Sequence, residues 1–171
     1  MNIDTYKGNF IVKTIIKKSL LNKSEKLFIL IGILGLFPFI IGLFDLFFNK
    51  SNLFFKFNLL KYYGSIILTF LGAIYWGSML NRNPKSLIPE QIKYFIIIWS
   101  ILPSIFSIII LSIKSNISLL ILSMSFLLCQ LVDEICNKYL LFPKWYLPFR
   151  RILTLIVVIV LLCSYFIIKS Q

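Results

Sequence analysis

Five long apolar runs, at about residues 27–48, 60–80, 94–113, 117–136 and 152–168, follow one another with only short polar stretches between them. As helices, runs of roughly 20 residues reach about 30 Å, the thickness of the hydrocarbon layer. In hydrocarbon every backbone N–H and C=O must be bonded within the protein, which leaves helices or a closed barrel. Continuous rather than alternating apolarity selects helices. The expected fold is therefore all-α, a polytopic membrane bundle of five transmembrane helices over residues 27–171, preceded by a basic tail of residues 1–26. Composition agrees: 59% of the chain is hydrophobic, against about 45–50% in soluble domains, and the mean hydropathy is +0.92.

The net charge of +12 comes from 18 Lys and Arg against 6 Asp and Glu. In a soluble chain this would suggest nucleic acid. Here the bases lie between apolar runs, and no stretch outside them is long enough for a nucleic-acid-binding domain. The expected partner is the lipid bilayer, with anionic lipids on the basic face; a membrane-protein partner or a homo-oligomer is a further expectation. Five spans put the termini on opposite sides. The tail residues Lys7, Lys13, Lys17, Lys18, Lys23 and Lys26 share a side with Arg82, Lys85, Lys93, Lys138, Lys144, Arg150 and Arg151. Together they outnumber Lys50, Lys56, Lys61, Lys114 and Lys169 by 13 to 5. The positive-inside rule then places the N-terminus in the cytoplasm and the C-terminus in the periplasm of a bacterial inner membrane, or the N-terminus in the matrix if the protein is mitochondrial. The tail carries much of that contrast, and Ile11, Ile15, Ile16 and Leu20 give it either a short interfacial helix or a flexible segment.

Local cues refine the spans. Ser24 is a candidate N-cap for the first, Pro38 is expected to kink it, and Asp45 near its end can pair with a lysine of the following loop. Phe54, Phe55 and Phe57 lie in that loop, at the interface. In the second span Ser65, Thr69, Ala73 and Gly77 recur every four residues, widened by Gly64 and Gly72, and form the expected helix-packing face. Pro84 and Pro89 separate the second and third spans. Lys114, Ser115 and Asn116 form a turn so tight that the third and fourth must make an antiparallel hairpin.

Polar chemistry gathers at one end. In the inferred orientation Trp76, Trp99 and Trp145 all fall on the basic face, with Tyr75 and Tyr146 beside them. Gln130, Asp133 and Glu134 approach that face as the fourth span leaves the membrane, and Arg150 and Arg151 stand where the fifth begins. An ionisable group at such depth needs a partner, and for Asp133 the candidates are Arg150 and Arg151. Two readings stay open: a structural clamp of the hairpin with aromatic anchors, or a cytoplasm-facing polar mouth for a headgroup, a protein or a small solute. The chain has no histidine, which removes His-ligated haem, His-based metal sites and Ser-His-Asp catalysis. Cys129, Cys136 and Cys163 form no CxxC pair and read as buried, inert thiols. No cofactor, metal site or catalytic residue is expected.

YYGSIILTFLGAIYWG at 62–77 and LFPKWYLPFRRILTLIVVIVLL at 141–162 resemble the two signature blocks of the domain-of-unknown-function 3429 family, which includes bacterial inner-membrane proteins and the eukaryotic transmembrane protein 69. Leu34-Gly35 with Pro38-Phe39, Trp99 with Pro103, and Gln130 with Asp133 extend the similarity over about residues 30–162. The resemblance implies a multi-span inner-membrane protein with no established activity, cofactor or substrate. The leading expectation is a non-enzymatic interaction, assembly or lipid-organising factor. A small transporter or channel is the alternative, and a lipid-acting enzyme with Asp133 or Glu134 as base is a third.

Overall fold

A computed structural model describes residues 22–48, 52–80, 88–137, 139 and 142–170. Among them there is no strand, and the helices are α1 (Lys23–Leu34), α2 (Phe37–Phe48), α3 (Leu53–Leu80), α4 (Glu90–Ser112), α5 (Ile117–Cys136) and α6 (Tyr146–Lys169). Five helical stretches are long and apolar enough to cross a membrane: Lys23–Phe48, Leu53–Leu80, Glu90–Ser112, Ile117–Cys136 and Tyr146–Lys169. The fold is an all-α bundle and the chain is a membrane protein. The tail before residue 22 and the loop containing Pro84 lie outside the described residues.

The chain divides into two compact units, Met1–Leu34 and Gly35–Gln171. The described part of the first is α1, none of whose residues is buried. Its N-cap is not Ser24. The helix starts a residue earlier, and Glu25 reaches back to accept a hydrogen bond from the Asn22 backbone N–H at 2.8 Å, one half of a capping box.

In the second unit Pro38 stands in the first turn of α2, where its missing N–H goes unused. The residues before it, Gly35 and Leu36, form a turn, so the apolar run is divided here. α3 begins at Leu53, well before the expected residue 60, after Asn52 turns the chain at a φ of 54°. Lys56 and Lys61 do not emerge into water; they are 4% and 3% exposed. Lys56 Nζ lies 3.1 Å from both Asp45 Oδ2 and the Asp45 carbonyl oxygen. Lys61 donates to the Ile113 carbonyl at the end of α4, at 3.1 Å, with the Phe57 ring centroid 5.1 Å away. With both ammonium groups bonded inside, nothing requires the helix to stop. Phe54 and Phe55 therefore lie exposed on α3 while Phe57 enters the core. α6 likewise begins at Tyr146, not residue 152, because Pro148 fits its first turn.

α3 packs chiefly on α4, α5 on α6, and α2 against α3 and α6. Phe39, Leu46, Leu60, Leu68, Tyr75, Ile96, Leu122, Phe126 and Leu161 fill the centre, while Phe44, Phe70, Ile108, Met124 and Leu155 face outward, as lipid-facing side chains do.

The helix-packing face of α3 holds half of the expected residues, Gly64, Ser65 and Gly72. Ser65 is buried, but Thr69, Ala73 and Gly77 are exposed. Close approach runs through the two glycines of that set: a Cβ at Gly72 would stand 2.5 Å from the Ser100 carbonyl oxygen, and one at Gly64 2.6 Å from Leu122 Cδ2. At Gly77 it would meet nothing within 4 Å. Thr69 keeps a link to α4, its hydroxyl lying 3.1 Å from Ser107 Oγ. The Ser107 hydroxyl is 2.9 Å from the carbonyl oxygens of both Ser65 and Pro103.

Candidate functional site

Three helix segments meet at one end of the second unit: the end of α3, the end of α5 and the start of α6. Gln130, Asp133 and Glu134, spaced three and four residues apart, fall on one side of α5, and Arg150 and Thr154 stack one turn apart on α6. Tyr75, Asp133, Arg150 and Thr154 are 2%, 3%, 6% and 2% exposed, so this part of the site is closed to solvent.

Hydrogen bonds and one ion pair form a continuous chain. The Tyr75 hydroxyl donates to Asp133 Oδ1. Asp133 Oδ2 faces Arg150 Nε at 3.5 Å, an ion pair rather than a short hydrogen bond. Arg150 Nη1 donates to Thr154 Oγ1 at 2.6 Å, so the threonine must give its own proton elsewhere, and it does so to Gln130 Oε1 at 3.2 Å. This orients the amide: Gln130 Nε2 then donates to Glu134 Oε1 at 2.9 Å. Glu134 in turn accepts from Arg151 Nε and Nη2 at 2.5 and 2.7 Å, a two-point contact between planar groups. The two arginines thus divide the two acids, Arg150 taking the buried Asp133 and Arg151 the more exposed Glu134.

Of the candidate residues in the sequence, Tyr75, Gln130, Asp133, Glu134, Arg150 and Arg151 come together, and Tyr146 joins them through a side-chain hydrogen bond with Arg150. Trp76 does not; it is 52% exposed on the outer side of α3. Trp99 is buried and stacks on Phe95 at 6.2 Å. Trp145 packs at ring-centroid distances of 6.2 Å from Tyr146 and 6.3 Å from Phe149. The indole nitrogens of Trp99 and Trp145 are buried without a hydrogen-bond partner, as are Arg150 Nε and Nη2. Cys129 and Cys136 flank Asp133 on α5 as free, buried thiols, whereas Cys163 is exposed and not buried as expected. Thr154 was not among the candidates, though its place one turn after Arg150 is the signal that could have found it. Lys56 and Lys61 form a second, separate set of buried bonds through Asp45 and Ile113.

Beside the exposed end of the network is a cleft of about 410 Å³, lined by Asn137, Phe142, Pro143, Lys144, Leu147, Pro148 and Arg151. It combines two cations and an amide with apolar walls. Among the described residues no group of three or more His, Cys, Asp or Glu side chains could hold a metal ion. The arrangement offers charge pairing, interhelical locking and a basic recess. The family model described as "Protein of unknown function (DUF3429)" matches residues 24–166, and the chain belongs to that family. Neither a curated protein nor a solved structure matches it.

Proposed function

We propose that this member of the DUF3429 family is a non-enzymatic inner-membrane protein that works as an interaction, assembly or lipid-organising factor. Its N-terminus lies in the cytoplasm and its C-terminus in the periplasm; in a mitochondrion the N-terminus faces the matrix. The observation that carries this reading is the pairing of each acid of the site with its own arginine. Asp133 is held by Tyr75 and Arg150, and Glu134 by Gln130 and Arg151. An acid and base committed to each other across helices brace a scaffold; a general base needs a free lone pair aimed at a substrate. Anionic lipids meet the basic face, and a membrane partner or second copy meets an outward helix surface.

The experiment is purification of the full chain in mild detergent, followed by reconstitution. A stoichiometric membrane partner or a stable self-association, with no solute conduction by the purified chain, is the expected result. A second reading, a small transporter or channel with a cytoplasm-facing polar mouth, draws on Arg150 Nε and Nη2, buried without hydrogen-bond partners. Conduction of a solute in proteoliposomes that disappears on Asp133→Asn while the variant still inserts with unchanged helicity would establish it and overturn the first.

A further inference from the structure

We infer that the cleft between the end of α5 and the start of α6 binds the phosphate headgroup of an anionic phospholipid, with Lys144 and Arg151 as its cationic contacts. The inference rests on the lipid-organising reading above and names the ligand class and the residues.

Position comes first. α5 ends at Cys136 and α6 begins at Tyr146, so Asn137, Phe142, Pro143 and Lys144 line the cleft from the connection and Leu147, Pro148 and Arg151 from the first two turns of α6, where both spans leave the apolar layer. Trp145 and Tyr146 stand in the same connection, as aromatic residues do at headgroup depth. The volume of about 410 Å³ suits a compact polar group.

Charge comes second. Lys144 and Arg151 line the cleft and no acidic residue does. Arg151 gives Nε and Nη2 to Glu134, which leaves Nη1 for another acceptor. Lys144 is exposed and enters none of the described ion pairs. The cleft also opens on the first turn of α6, whose cap residue Trp145 makes no side-chain cap bond, so the positive end of the helix dipole adds to the same field.

The remaining walls decide the source of the phosphate. Phe142, Leu147, Pro143 and Pro148 would be poor company for a free, hydrated phosphate, but they suit a glycerol backbone and the first acyl carbons. Basic recesses between transmembrane helices are known to take such headgroups. A zwitterionic lipid would bring its own cation against Lys144.

The test uses the full chain in nanodiscs with Trp76→Phe and Trp99→Phe, which leave Trp145 as the sole tryptophan, excited selectively over the tyrosines. Brominated phosphatidylglycerol should quench Trp145 at lower mole fraction than brominated phosphatidylcholine. The preference should fall about fivefold for each of Lys144→Gln and Arg151→Gln, and rise on Glu134→Gln, which frees the Arg151 fork. Both basic side chains are exposed, and far-UV circular dichroism checks that the variants fold. Equal quenching by the two lipids overturns the inference, as does a preference that survives loss of both basic residues. Abolition of the preference by millimolar inorganic phosphate would reassign the cleft to a soluble phosphate. Solute conduction, which would defeat the scaffold reading, is measured separately and leaves the quenching result standing.

Discussion

Replacing Asp133 by Asn removes one charge from a pair that is nearly inaccessible to water, Asp133 and Arg150 being 3% and 6% exposed. Arg150 would keep only neutral hydrogen-bond partners, Thr154 and Tyr146. Leaving one member of a buried pair uncompensated costs about 3–5 kcal/mol, a shift of two to three and a half decades in the folding equilibrium. Neutral hydrogen bonds between membrane helices average only about 0.6 kcal/mol, so breaking the Thr154–Gln130 link should hardly register beside it. The magnitudes therefore assign the clamp to the ion pair and treat the rest of the network as orientation.

Replacing both partners together tests the assignment. Asp133→Leu with Arg150→Met removes both desolvated charges and keeps much of the volume. The double variant should lie within about 1–2 kcal/mol of the parent, because paired and apolar isosteres are close in energy. The assay is unfolding in mixed micelles with rising dodecyl sulfate, followed by helicity, as a double-mutant cycle. A double variant that loses the sum of the two single losses would refute the reasoning, and so would singles that each lose less than about 1 kcal/mol.

Three further outcomes follow. Gly72→Ala should lose about 1–3 kcal/mol, since the new Cβ lies 2.5 Å from a backbone oxygen; Gly64→Ala should lose less, since it meets the movable end of Leu122; and Gly77→Ala should be neutral. Equal effects at Gly72 and Gly77 in the same micelle assay would rule out the packing face described. Lys61→Met should cost about 1–3 kcal/mol by orphaning the Ile113 carbonyl, with Lys114→Met, at an exposed position, as the silent control. Reporters fused to the two termini should show the N-terminus cytoplasmic and the C-terminus periplasmic; termini on one side would remove the orientation.

The bundle and the Asp133 site were legible in the sequence for a simple reason. An acid near the end of an apolar run must find a base, and only two arginines stand at the start of the next. Which arginine serves which acid depends on the rotational phase of α6 against α5, and no local pattern encodes that. Thr69, Ala73 and Gly77 leave the buried α3 face for a geometric reason. A step of four residues advances about 40° on a helix of 3.6 residues per turn, so Ser65, Thr69, Ala73 and Gly77 drift through about 120°. Gly64, Leu68, Leu71 and Tyr75, spaced four, three and four, stay within about 60° of one another, and all four are buried. The Asp45–Lys56 pair is the one expected between the first span and the lysines after it. The burial of Lys61 is not legible locally, because lysine near a span end ordinarily snorkels to water and its acceptor lies at the end of α4.

Arg150 and Arg151 show how one dipeptide can serve two purposes. Successive residues on a helix point about 100° apart, so Arg150 turns inward to Asp133 while Arg151 turns outward to Glu134 and the cleft. Glu134 is then the element shared by the buried network and the basic recess. A headgroup phosphate in the cleft competes with Glu134 for Arg151, and Glu134 is bonded through Gln130 and Thr154 to Arg150. Occupancy of the cleft and stiffness of the clamp are therefore linked by contacts within α5 and α6 alone. Two-way linkage of this kind is reciprocal: a change that loosens the Asp133–Arg150 pair alters headgroup affinity by the same factor by which the headgroup alters the pair.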